Sequence, residues 1–533
     1  MRHLVPLAAA QVEAEVKRRL RSTGTLVAIL ALVVLSFMWI PDPRKNWTSI
    51  SWRGAGGAIT SGIYNSAYVG AASALLASLF LAIIGFYLVA GSVRRDAETR
   101  VGAILASTPI SRTAYLAGKL AAHLVYLQVV AACALASGVL VFLRYGTGPF
   151  EPGAFLVPHL LLVPPSLVTT AALALLFDVT PGLRGRGGLI VYFFVFAFLF
   201  MALPGLLHGG MAQDRGVRGF PIYDPTGAIG VMQIVRSTLP EGSGGSISMG
   251  LQLHDEPVRR VVWRGLPVTG GWVAARAVAL GLALVPLVLA VLLFDRFDPA
   301  RARPRLRARR TAASAIEAIE RPAAPIRPLP PVSTHPTAAG AIAAEARLIW
   351  EMVGWLRWPL LAAAVLAAVL PGAGTRVATA AFLLLLAPAL SEVAAREHLH
   401  GTRALVFSQP AVPRSPVGWK AAAAALFALA LGAPAILRAA LASPARGFAF
   451  ATGLLFVAGF AAGAGAVTRG RQLFSGVYVA LWYAAVSGAG PLDFSGAFGG
   501  GLGAAARLAW VAAGAGAVGL ALAAERWRGA RGG

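Results

Sequence analysis

Arginine, acid, serine, proline and lysine recur in the same order and at one constant offset in two distant loops. The first reads Arg95-Asp96-Ala97-Glu98-Thr99-Arg100, then Ser107-Thr108-Pro109 and Lys119. The second reads Arg396-Glu397-His398-Leu399-His400-Gly401, then Ser408-Gln409-Pro410 and Lys420. Such side chains, on a short loop closing a long apolar run, could hold a metal, hold a phosphate, offer a docking surface, or only pack two spans together. Metal chemistry fits poorly, because His398 and His400 alternate and so point apart on a helix, and no complementary ligand set is visible. Phosphate chemistry fits no better. Gly118-Lys119 is followed by leucine and lacks the upstream glycine of a phosphate-cradling loop. No such loop occurs elsewhere, so no nucleotide triphosphate site and no enzymatic role are expected in this chain. A docking surface and a plain packing role remain.

The elements that must position these loops are set by composition. The chain has 533 residues, 57% of them hydrophobic, and a mean hydropathy of +0.70. Soluble domains hold roughly 45–50% apolar residues, and here the apolar residues come in long runs. An all-α polytopic membrane protein is expected. A span needs roughly 20 apolar residues, fewer where neighbours bury its ends. Twelve candidates follow: Thr23 to Ile40, Tyr68 to Ala90, Leu120 to Leu143, Phe155 to Phe177, Leu189 to Leu206 and Trp272 to Phe294, then Trp355 to Leu370, Val377 to Ala394, Trp419 to Leu437, Phe448 to Val467, Leu473 to Val486 and Leu508 to Ala524.

The net charge of +25 reads as the arginine excess of cytoplasmic loops rather than as a nucleic-acid surface. With twelve spans, the arginines of all the short basic loops fall on one side, which puts both termini and both repeated loops in the cytoplasm. No cleavable leader is expected, since no small-residue site follows a short apolar core. Lysine is scarce and alanine and glycine abundant, as in a GC-rich bacterial genome, so the bacterial cytoplasmic (inner) membrane is the expected location. Cys133 is the single cysteine and can form no internal disulfide.

Six spans per half give both halves the same orientation, so the repeat is parallel, with its pseudo-twofold axis along the membrane normal. The divisions are an interfacial helix at 1–22, a six-span unit at 23–295 with an extracytoplasmic loop at 204–271, an arginine- and proline-rich cytoplasmic linker at 296–340, and a second six-span unit at 341–533. The linker's arginines suit either a solvated topology anchor or contact with anionic lipid. Amphipathic stretches with Glu13 and Glu15, and with Glu345 and Glu351, precede the two halves; each suits an interfacial helix or a plain extension of the next span. A second echo, Asp224-Pro225-Thr226-Gly227 and Asp493-Phe494-Ser495-Gly496, falls outside in both halves, as either an Asx turn or a substrate contact.

In the first loop Asp96 is expected to cap a short helix with Val101, Ile104 and Leu105 on one apolar stripe, ended by Pro109, and Ser111 to cap the next helix. In the second, Ser415-Pro416 would do so. Each half thus presents a short lateral helix, which could seat in a partner's cleft or merely pack two spans together. The segment Val93 to Arg112, entering a span at Tyr115 to Lys119, resembles the loop between the second and third spans of type-2 ABC exporter permeases. The interfacial helix and the six spans per unit are similar to that family too. The resemblance implies that Arg95, Asp96, Glu98, Thr108 and Pro109, with Arg396, Glu397, Gln409 and Pro410, belong to coupling helices that dock on a separate ATPase, two copies per chain. ATP and magnesium would then sit on the partner, with no cofactor in this chain. The second copy departs from the pattern, with Gln409 for Thr108 and Pro413 for Arg112.

Two other classes stay open. A secondary transporter needs ionisable groups within the membrane, for which His123, His159, Asp178, Glu392 and Arg438 are the candidates. A non-transporting membrane scaffold is the other. The small residues of the second half argue against a wide aqueous pore and favour an apolar or amphiphilic substrate such as a lipid, drug or peptide.

Overall fold

The computed structural model describes residues 4–44, 46–53, 57–184, 186–207, 221–237, 247–254, 256–297, 337–403, 406, 416–487, 492–498 and 503–531. It is predominantly helical. Among the described residues ten helices are long and apolar enough to cross a membrane. Ten of the segments read as spans fall on these helices, while Thr23 to Ile40 and Leu473 to Val486 fall on shorter ones of 17 and 15 residues. The first is α2 (Thr23–Trp39), which meets the end of α1 (Leu4–Leu20) at a bend of 65°. Ser22 makes that bend a clean start, its hydroxyl accepting from the Thr25 N–H.

The bundle is organised around α3 (Ser66–Val89), buried along nearly its whole length. It packs on α6 (Arg112–Tyr145) and α7 (Pro152–Val179). The contact with α7 is close because of Gly70, where an added Cβ would run into the Ala154 carbonyl. Backbone on both sides leaves nothing to yield, so Gly70→Ala is expected to destabilise the chain by about 1–3 kcal/mol. Thermal unfolding in detergent would check this, and an unchanged melting temperature would refute it.

Between α7 and the interdomain stretch lie α8 (Arg186–Phe196), a π-helical turn at Ala197–Ala202, α9 (Leu203–Leu207), α10 (Ala228–Ser237), α11 (Gly270–Leu282) and α12 (Val285–Leu293). Beyond it come α13 (Ala338–Val353), α14 (Arg357–Val369), α15 (Ala373–Leu390), α16 (Arg396–Leu399), α17 (Val417–Ala442), α18 (Pro444–Thr468), α19 (Gln472–Val486) and α20 (Ala504–Arg531). The two amphipathic stretches differ. Where α1 turns sharply into α2, α13 runs on through a 3-10 turn into α14 as one 32-residue helical segment.

The all-helical expectation omits a small sheet. Strands β1 (Trp47–Arg53) and β2 (Ile59–Gly62) join β3 (Ile247–Leu253) and β4 (Arg259–Val261) in the order β3-β1-β2-β4. Only the β2–β4 pair is parallel. The sheet sits at the start of α3, where Asn65 caps the helix by accepting from the Tyr68 N–H and donates to the Trp263 carbonyl. Tyr68 in turn bonds Ile50 through both its backbone groups. β1 and β2 are neighbours in sequence, but β3 and β4 come from a distant segment, so short local runs gave no sign of that pairing.

Candidate functional site

At the other end of α3 the first repeated loop folds into α4 (Ser92–Glu98) and the lateral helix α5 (Val101–Ser107). Gly91, at φ 86°, turns the chain sharply out of α3. Asp178, at the end of α7, fixes that turn by accepting from the Gly91 N–H at 2.7 Å and the Val93 N–H at 3.0 Å. Arg19 of α1 reaches the last carbonyls of α3, bonding Leu88 and, at 3.0 Å, Val89.

Around this turn the charged side chains converge on Glu15. Its carboxylate takes Arg19 at 2.7 Å and Arg95 at 2.5 Å, with Lys119 at 3.6 Å. Lys119 also pairs with Asp96 at 2.7 Å, and the Tyr115 hydroxyl donates to the same Asp96 oxygen at 2.7 Å. Asp96 therefore does not cap the lateral helix as expected; it lies inside α4 and is used up by Lys119 and Tyr115. Burial pushes the Glu15 carboxyl up, but Arg19, Lys119 and Arg95 outweigh it and hold it well below the usual carboxylate range.

The second loop builds a similar set from α13, α16 and α17. Arg396 pairs with Glu345 at 2.5 Å, Lys420 stands 3.8 Å from Glu345, and Lys420 bonds Glu397 directly. Burial again raises the Glu397 carboxyl and Lys420 more than reverses it. Arg471 holds Glu392 at 2.7 Å. Close by, His398 is pushed down to about 4 by burial and by Arg403 and Arg469. Arg95 and Asp96 thus lie together in one cluster, and Arg396 and Glu397 in the other. Sequence reasoning missed the glutamates that gather them, Glu15 and Glu345, although both stand in the amphipathic stretches it singled out.

The other loop residues are placed differently. Glu98 is exposed and pairs with Arg94 at 3.4 Å, away from the cluster. The α5 stripe divides: Leu105 packs on the core, while Val101 and Ile104 are 42% and 66% exposed. Thr108 closes α5 by donating its hydroxyl to the Leu105 carbonyl before Pro109, and Ser111 caps α6 through the Ala114 N–H. Leu405, Gln409, Pro410 and Ser415 lie outside the described residues.

The second echo is not displayed on a surface. Asp224 is fully buried, its carboxylate accepting from Gly227 N–H and Gly230 N–H at 2.9 Å each, and Ser78, midway along α3, donates to the Thr226 carbonyl. Arg276 of α11 donates to the backbone carbonyls of Asp224 and Pro225. Asp493 repeats the pattern with the N–H groups of Ser495, Gly496 and Phe498, and Arg507 of α20 donates to its carbonyl. Gly227 and Gly496 supply the positive φ, 79° and 66°, that each turn requires. Of the two readings this is the Asx turn, wedged between helices and locked by an arginine. Neither arginine carried any local signal.

Within the helices the ionisable side chains are mostly spoken for. Arg438 donates to the final carbonyls of α14, and His159 meets the Ala131 carbonyl at 3.1 Å. His123 is fully buried, and its ring nitrogens meet no hydrogen-bonding group among the described residues.

The seam between the chain's two halves is formed by α3 against α19 and by α8 against α15. Gly476 lies against the Tyr87 ring, and Phe193 meets Trp482 edge-on at 4.7 Å. On each side a tyrosine ties the seam helices to one another: the Tyr87 hydroxyl donates to the Leu189 carbonyl at 2.9 Å, and that of Tyr478 to the Leu383 carbonyl at 2.7 Å. No family model matches the chain, and no curated protein or solved structure matches it either.

Proposed function

We propose that this chain is the membrane permease of an ATP-driven exporter of the type-2 ABC class, with two six-span units fused in one polypeptide and separate ATPase subunits docking on its cytoplasmic loops. The observation that carries the reading is the doubled charge cluster. In each half a glutamate from the helix before the first span bridges the arginine and the lysine of the repeated loop. Two loops matched by chance would have no reason to recruit a third element in the same way.

The seam supports the same reading. Numbered within each unit, α3 and α15 are second spans, while α8 and α19 are fifth spans. Second span then meets fifth span of the other unit twice, as a twofold axis along the membrane normal requires. The two buried Asx turns, each before the last span, fit that axis as well. Twelve spans would leave both termini and the linker in the cytoplasm of a bacterial cell.

In this reading the chain does no covalent chemistry. ATP and magnesium act on the partner, and closure of its subunits pushes on α5. The ion cluster passes the push on, because Glu15, Arg95, Asp96 and Lys119 tie α1, α4 and α6 into one body. Displacement of that body against α3 would open the apolar seam, which suits an amphiphilic substrate over a small ion. His123 is the observation favouring a secondary transporter, as a buried imidazole whose ring nitrogens meet no hydrogen-bonding group among the described residues.

Purifying the tagged chain in mild detergent from its own host separates the two. A stoichiometric ATPase with a phosphate-binding loop is expected to come with it. A chain that arrives alone, and whose transport stops when the proton gradient is collapsed, would replace the permease reading with the secondary transporter.

A further inference from the structure

The helix α12 ends at Leu293, yet the chain does not lead straight off into the linker. Arg296 and Phe297 have φ of 56° and 59°, a left-handed conformation that residues with side chains hold only when surrounding contacts enforce it. Their contacts reach the first repeated loop, the start of α6 and Phe294. The Phe297 ring covers Gly102 so closely that an added Cβ there would sit 2.7 Å from its Cδ1. The ring is edge-on to Tyr115 at 5.7 Å and to Phe294 at 5.2 Å, while Phe294 stacks on Tyr115 at 5.3 Å. Arg296 donates to the Thr108 carbonyl at 2.5 Å, at the end of α5. Tyr115 continues the path to Asp96.

Among the described residues the second half shows no such contact. Arg403, not glycine, stands at the constant offset from Gly102. Its last helix, α20, runs on to Arg531 without turning back.

We infer that Phe297 is a positioning residue, a hook by which the end of α12 holds the lateral helix α5 in one pose for the ATPase. The inference deepens the permease reading and rests on it for the partner. Force applied to α5 is delivered through Phe297 to α12, which packs on α7 and α6.

Hydrogen exchange on the whole purified chain, without partner, tests the hook. In Phe297→Ala the amides of 101–107 are expected to exchange about tenfold faster, since local opening follows lost contacts. Those of 92–98 should not change, because Asp178 and Asp96 hold them independently. Phe297→Tyr should restore the wild-type pattern, and Gly102→Ala should imitate the loss. Unchanged exchange at 101–107, or failure of the tyrosine to rescue, overturns the hook and leaves the permease reading untouched.

The complex with the ATPase supplies a readout that mere stability would not move. ATP should alter exchange at 101–107 and 285–293 together in wild type, and only at 101–107 in Phe297→Ala. Coupled changes in the variant would also overturn the proposal. If no ATPase accompanies the wild-type chain, the permease reading fails, while the exchange of 101–107 still decides whether Phe297 orders the helix.

Discussion

Glu15→Gln is expected to destabilise the chain by about 3–5 kcal/mol, as measured for buried ion pairs stripped of one partner. Glu15 is the carboxylate shared by Arg19, Arg95 and Lys119, and Lys119 is only 3% exposed. Glutamine keeps the shape and can still accept hydrogen bonds, so the loss isolates the charge. Glu345→Gln should cost distinctly less, because Glu345 is more exposed and meets only Arg396 and Lys420, whereas Glu15 also holds the buried Arg19. Melting temperatures of the two variants in one detergent check the order, and equal values would deny Glu15 its central place. The pH dependence has a definite sign. A carboxyl held below its ordinary value near 4.5 contributes stability that is complete above that value and lost as pH falls toward the depressed one. Wild-type stability should therefore not fall on this account between pH 7 and about 5. Glu15→Gln should lack the share of the acid loss that Glu15 contributes below that range.

The double substitution Val101→Glu, Ile104→Glu should abolish capture of the ATPase while leaving the fold intact. Both side chains point away from the core, so the cost in stability should stay within about 0.5 kcal/mol. An apolar anchor buried in a partner's cleft is worth about 2 kcal/mol or more, so two replaced by carboxylates should weaken binding by about a hundredfold at least. Quantifying the ATPase retained per chain, beside the melting temperature, measures both effects. Full retention with a normal melting temperature would show that α5 is not a seat and would return it to the packing role. The double substitution is a sharper test than deleting Asp96 to Pro109, which would also remove Asp96 from Lys119 and confuse docking with collapse of the cluster.

These expectations rest unequally on sequence and structure. Long apolar runs are independent of context, because a chain in a bilayer must satisfy its backbone within each segment; hence every segment read as a span lies on a helix. The charged residues of the loops were visible for a similar reason, as they interrupt those runs. Their partners were not. Nothing near Glu15 in sequence distinguishes it from Glu13, which pairs with Lys17 at the surface, whereas Glu15 faces inward to Arg95 and Lys119. The same holds for Arg276 and Arg507, which lock turns built from distant residues.

By itself, then, the sequence determined the apolar helices, the recurrence of two charged loops and the aspartate-glycine turns, since each depends on neighbours within a few residues along the chain. Which glutamate gathers the loop charges, that Val101 and Ile104 part company with Leu105, and that Phe297 turns back over Gly102 were decided only by tertiary structure. Each of these depends on which helix faces are brought together across the bundle, and long-range packing, not local spacing, sets that choice.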